Sequence, residues 1–399
     1  MSRFLAAWTA VLAFVLLRYS SAQWPPLVLV YGLAAAGMGG VLLMRPAEMK
    51  AHLRAHAVLF GAAGALAVLA IVAQLLAAEA SVQPFERLLP HPAILLALPV
   101  LAYALRTQPR LVRAAACIAC ALALWQFIAL PMEGVTGARL GWFRSALPER
   151  DAGLLHYQAA GLADQPYFFP GLMLPLFYIG WGWAWAQLDP LRHRRARMAL
   201  LALLFAWVAA VACVQSRSAL AGAAMASALL GLVSLPAQRR RQALVVLAVL
   251  LACAALAYAA LFSQNKSGAG LRWAYAQLYL RASFDGWRLW LGHGLSAHPP
   301  DSLKLADYPI SHSHNDLVQV LYSWGLPALL AYGVFLVALV RRVLRLAQAG
   351  VWGPLAALVA LAPNVVTDLG VQHYEKAGFL VLLAALCVAL QPRPVAASR

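Results

Sequence analysis

Long apolar runs, cut by short polar breaks, fill almost the whole chain. Twelve such runs lie at about 4–17, 24–44, 57–77, 92–105, 111–130, 166–187, 198–214, 218–235, 243–262, 317–340, 351–370 and 376–390. A bilayer core of about 30 Å takes about 20 helical residues. The pattern therefore predicts an all-α, polytopic integral membrane protein with about 12 transmembrane helices, a single transmembrane domain over 1–399. Residues 198–235 as one helix would measure about 57 Å, nearly twice the apolar thickness. The chain is expected to turn at the polar cluster Gln215-Ser216-Arg217-Ser218. The first run also has signal-peptide features, with Ser20-Ser21-Ala22 as a cleavage-like site, but is read here as a retained helix.

The breaks alternate in character. With both termini placed in the cytoplasm, the short breaks on that side hold 19 of the 31 basic residues against two acids, Glu48 and Asp189. The other side holds 12 basic and 12 acidic residues, so the net charge of +17 reports topology and argues against a nucleic-acid partner. Composition agrees, since 63% hydrophobic and 11% charged residues leave too little polar surface to coat a soluble globule. All five cysteines fall inside the apolar runs, where they read as packing, the CxxC pair Cys117 and Cys120 included. Neither an internal repeat nor a glycine-rich nucleotide loop is evident, and ATP is not indicated.

Two long segments, 131–165 and 263–316, emerge on the external side, where loops of that length carry function or short helices of their own. The first contains Arg139 and Arg144, candidate phosphate contacts. The second reads as partly helical and interfacial through "LRWAYAQLYLRASFDGWRLWLGHG", where Trp273, Tyr279, Trp287 and Trp290 alternate with Arg272, Arg281 and Arg288. Arg281 and Arg288 share a face if the helix is continuous, although Gly286 stands between them. The loop closes on Ser311-His312-Ser313-His314-Asn315-Asp316. Ser313, Asn315 and Asp316 are natural helix caps. Capping leaves His312 and His314 unexplained, and a histidine beside an arginine-lined surface suits a general base. Arginine forks match phosphate oxygens, so the set fits transfer from a lipid-linked pyrophosphate, whose leaving group arrives activated. His312 and His314 have the spacing of a metal-ligand pair, but only Asp307 and Asp316 are near, and no metal or cofactor is expected.

"QSRSALAG", "RASFDGWRLWLGHGLSAHPPD" and "HSHNDLVQVLYSWGLPALL" together resemble the O-antigen ligase and polymerase superfamily over about 198–340, a ligase-like core region. Trp324 stands where that family has a glutamate, and Pro327 where glycine is common. The resemblance implies an inverting, metal-independent glycosyltransferase of the bacterial inner membrane with a periplasmic site. It would join a polysaccharide carried on undecaprenyl pyrophosphate to a lipid A-core acceptor. On the matching positions, His314 takes the role of general base, and Arg217 and Arg288 bind pyrophosphate. Arg139, Arg144, Arg281, His312 and Asn315 complete the candidate substrate-binding set. An O-antigen polymerase would use the same constellation with another lipid-linked glycan as acceptor. A lipid-linked oligosaccharide flippase would instead need charge pairs spread through the membrane depth.

Overall fold

The computed structural model describes residues 1–18, 27–77, 94–140, 146–152, 155–163, 166, 169–189, 192–235, 269–294, 299, 312–367 and 374–390. The expected span at 243–262, together with Arg144 and Asp307, lies outside them. In chain order the helices are α1 (Ser2–Arg18), α2 (Leu27–Met44), α3 (Pro46–Ala55), α4 (Ala57–Leu76), α5 (Leu98–Thr107), α6 (Pro109–Thr136), α7 (Met173–Ala186), α8 (Arg194–Ala212) and α9 (Arg217–Ser234). After them come α10 (Ala269–Ala282), α11 (Arg288–Leu291), α12 (Asp316–Gln348), α13 (Gly353–Thr367) and α14 (Tyr374–Leu390).

Among the described residues the fold is all-α apart from one small hairpin, β1 (Glu149–Ala152) antiparallel to β2 (Leu155–Tyr157), inside the first long loop. Hydropathy did not foresee it, because the strands are too short to show a period. Five helices among the described residues, α4, α6, α8, α9 and α12, are long and apolar enough to cross a membrane, by length and composition. A sixth crossing results if α2 and α3 count as one, although they meet at 118° across Arg45-Pro46. Proline at the first helical position starts α3 afresh and accounts for the sharp corner. Shorter apolar helices occupy several other runs.

The expected turn in 198–235 falls where the polar cluster stands: α8 ends at Ala212, and Ser216 caps α9 by accepting the N–H of Ala219. Gly222 lets α9 lie directly against the carbonyl of Ala360 in α13, the close small-residue approach that membrane helices favour. Behind them, Phe177 of α7 stacks on Trp207 of α8 at 4.4 Å and 13°, a large aromatic contact deep in the core.

Helix α12 is not the straight span that the sequence suggested. Gly325 sits at φ 81°, ψ 175°, outside helical space, and Pro327 has no N–H to give. Tyr332 Oη donates to Asp316 Oδ2 at 2.5 Å, yet sixteen residues of straight helix would separate the two by about 24 Å. The nine residues before the break therefore fold back along the longer second piece, 326–348, which alone measures about 34 Å. Helix α4 runs antiparallel to that piece: His56 at its start meets Arg342, and Ala77 at its end lies beside Gly294. Arg106 and Arg342 thus meet at the start of α4, and the Gly294 segment of the second loop lies at its other end.

Candidate functional site

The break in α12 organises the loop end. In a continuous helix the carbonyl of Tyr322 would take the N–H of Leu326, and that of Ser323 would face Pro327, which has none. The backbone N–H of His293 donates to Tyr322 O at 2.8 Å, and that of Gly294 to Ser323 O at 2.9 Å. The Gly292-His293-Gly294 segment is thus docked onto the broken helix as a substitute for its missing turn. Glycine is needed on both sides of this contact. Gly292 has φ 74° and would drive a Cβ into the Ser323 carbonyl, and a Cβ on Gly325 would strike that of Trp290.

Side chains fix the same junction. The His293 ring stacks on Tyr322 at 4.4 Å and 10°, with Nε2 3.1 Å from Ala282 O. Burial pushes the His293 imidazole below its ordinary value, and the Arg288 charge acts in the same direction. Tyr322 meets Tyr279 edge-on at 4.7 Å, and Tyr275, four residues before Tyr279 on the same face of α10, lies 6.4 Å from the His314 ring. Tyr275, Tyr279 and Tyr322 form one buried cluster. Tyr279 is therefore buried and not one of an exposed aromatic belt, whereas Trp273, Trp287 and Trp290 are exposed rings.

The turn before α12 is held by its small polar residues. Asn315 is the cap, its side chain accepting the N–H of Val318 at 3.1 Å. Ser313 is buried; its N–H donates to Gln319 Oε1 at 2.6 Å and its hydroxyl to Asn315 O at 2.8 Å. Gln319 in turn donates to Ser323 Oγ at 3.0 Å. His314 occupies the left-handed region at φ 54°, where a non-glycine residue is uncommon. His312 Nε2 and His314 Nδ1 are 3.1 Å apart, with the rings edge-to-face at 4.1 Å and both half-buried.

Of the residues singled out from sequence, the structure brings His312, His314 and Asn315 into one turn, and docks the 288–294 segment that carries Arg288 onto Tyr322 through His293. Arg288 stacks on Trp287 at 4.1 Å and donates to Gly292 O at 3.3 Å. Arg281 is exposed in the last turn of α10, and Gly286 at φ 54° interrupts the chain before α11, so the shared helical face with Arg288 is not formed. Arg217, exposed at the first position of α9, belongs to a different neighbourhood, bounded by β2 through Gln215 and by α13 through Asn364. Arg139 is committed to the fold: Nη2 donates to Ala163 O at 2.5 Å, and Nε lies 3.4 Å from buried Glu133.

No protein-family model matches the chain, and no curated protein shows significant similarity to it. The superfamily resemblance rests on its motif residues alone.

Three residues at this end were not singled out from sequence. Glu133 receives the N–H groups of Leu140, Ala160 and Gly161 and holds the first loop. Asn364 is buried, donates to Ser218 Oγ at 3.3 Å, and has an Oδ1 without a hydrogen-bond partner among the described residues. Lys376 is buried in the first turns of α14. An acid, an amide and an amine within or beside apolar runs are the available signal, because each is costly there unless used.

Proposed function

We propose that the chain is a membrane-embedded glycosyltransferase of the O-antigen ligase type, working at the loop end of the bundle. The observation that carries the reading is the His312–His314 pair. It sits on a turn in which Ser313 and Asn315 hold the backbone and Asp316 is bonded to Tyr332. His314 Nδ1 faces His312, which fixes the ring and turns Nε2 toward a substrate hydroxyl. His314 takes the proton as that oxygen attacks the anomeric carbon from the face opposite the leaving group. The carbon–oxygen bond to pyrophosphate breaks, the configuration inverts, and Arg288 and Arg217 stabilise the charge released on the diphosphate.

The fold-back of α12 supports this placement. Asp316 is tied to Tyr332, about 24 Å along α12 from its far end. Helix α13 climbs about 16 Å from its start at Gly353 to Asn364, where Ser218 at the start of α9 meets it. Both the His turn and the start of α9 then lie in the half of the bundle away from the α12–α13 connection, and we propose that one pyrophosphate reaches from Arg288 to Arg217. In this reading the donor is polysaccharide on undecaprenyl pyrophosphate, the acceptor is lipid A-core, and the site faces the periplasm of an inner-membrane protein with cytoplasmic termini.

Purified protein incubated with both lipids and EDTA tests it. Transfer appears as a shift of the core band to high mass. Growth of the lipid-linked glycan with the core band unshifted assigns a polymerase, and no glycan product of either kind overturns the proposal.

A further inference from the structure

The basic end of the bundle holds a second cluster, one that glycosyl transfer does not use. The turn before α4, the end of α5 and the final third of α12 meet there. Arg106 Nη1 lies 2.8 Å from His56 Nε2, and Arg342 Nη2 lies 3.2 Å from His56 Nδ1. The imidazole is buried, as is its neighbour His52, whose ring stands edge-on at 5.1 Å. A guanidinium only donates, and a neutral imidazole has a single acceptor nitrogen. Only one of the two contacts can be a hydrogen bond, and the other sets N–H against N–H. Protonating His56 would remove even that acceptor, and burial, with His52, Arg342 and Arg106 acting the same way, holds its pKa down to about 4.

Among the described residues no carboxylate answers either arginine. Glu48, on the adjacent α3, is engaged by Arg45 at 2.6 Å and by the Tyr103 hydroxyl at 2.7 Å. Arg342 Nε is buried without a hydrogen-bond partner among the described residues. Two half-buried guanidinium groups with surplus donors require an anion. Beside Arg106 a cavity of about 420 Å³ opens, with mainly apolar walls that include Leu105, Val112, Ile179, Trp183 and Leu386.

We propose that the cluster and the cavity together bind one anionic phospholipid, its phosphate on Arg106 and Arg342 and an acyl chain in the cavity. Charge complementarity selects this occupant, because Arg106 and Arg342 belong to the breaks that carry 19 basic residues against two acids. Inorganic phosphate would answer the arginines but leave the apolar walls uncovered.

Native mass spectrometry and thermal unfolding of the full-length protein test the site, with phosphatidylglycerol, phosphatidylcholine and inorganic phosphate as separate probes. The expected result is retention of one phosphatidylglycerol with a raised unfolding midpoint, and no such retention of phosphatidylcholine. Arg106→Gln or Arg342→Gln weakens retention about tenfold. Arg195→Gln, which removes an exposed arginine of α8 in the same set of basic breaks, leaves it unchanged. Ala389→Phe narrows the cavity without altering charge and abolishes retention of the lipid. Equal retention of both lipids overturns the proposal, as does a loss no greater in Arg106→Gln than in Arg195→Gln. Stabilisation by inorganic phosphate alone that matches the lipid and survives Ala389→Phe also overturns it, assigning a simple anion. Retention is read without glycosyl transfer, so the result stands apart from the proposed activity.

Discussion

The two long loops both carry arginines, but they place them in opposite circumstances. In the first, a buried carboxylate answers the charge: Glu133 binds Arg139 and three backbone N–H groups, and the arginine also caps the carbonyl of Ala163. In the second, the backbone and the small polar residues satisfy one another. Ser313, Asn315 and Gln319 close the turn, and His293 and Gly294 fill the carbonyls opened by Gly325 and Pro327. That arrangement leaves the side chains of His314 and Arg288 only half-buried. The first loop is therefore built to hold shape, whereas the second holds shape by other means and presents its chemistry.

This contrast can be broken most severely at Glu133. Replacing it by alanine leaves Arg139 without its carboxylate and takes the acceptor from three backbone N–H groups, and a stability loss of about 3–5 kcal/mol is expected in unfolding measurements. A loss under about 1 kcal/mol would mean that the loop is fixed elsewhere. Next is Gly325→Ala, which forces a Cβ into the left-handed region against the Trp290 carbonyl. It should cost about 1–3 kcal/mol and undock the 292–294 segment, read as faster proteolysis between α11 and α12. Smaller again is Asn315→Ala, at about 1 kcal/mol for a lost cap, with Asn315→Asp or Asn315→Ser restoring most of it.

The smallest effect sharpens the comparison through pH. Burial depresses the His293 pKa below its ordinary value of 6.5, so the folded protein keeps the ring neutral while the unfolded chain takes a proton first. The contribution is complete above 6.5 and declines as pH falls toward the depressed folded value. The unfolding midpoint should drop in that interval, and His293→Gln should flatten the drop. An unchanged slope would place the titration elsewhere.

Much of this was legible in the sequence. Apolar runs gave most helices their places. The polar cluster at 215–218 located a turn that length alone demanded, and the capping residues before α12 could be narrowed to three. The fold-back of α12 was hidden because hydropathy does not register φ; Gly325 and Pro327, two residues apart, were the signal of a kink. The commitment of Arg139 was equally hidden, since its partners Glu133 and Ala163 lie six residues before it and twenty-four after. Nothing in a linear reading told an arginine that pins a loop, such as Arg139, from one left exposed, such as Arg281.

The most direct test of the central claim compares transfer rates of wild-type protein and His314→Ala at equal folded yield. The account predicts a loss of about a hundredfold or more, with little change in the unfolding midpoint, because Asn315 and not His314 caps α12. Equal transfer by both proteins would contradict it and leave the His turn as a means of starting a helix.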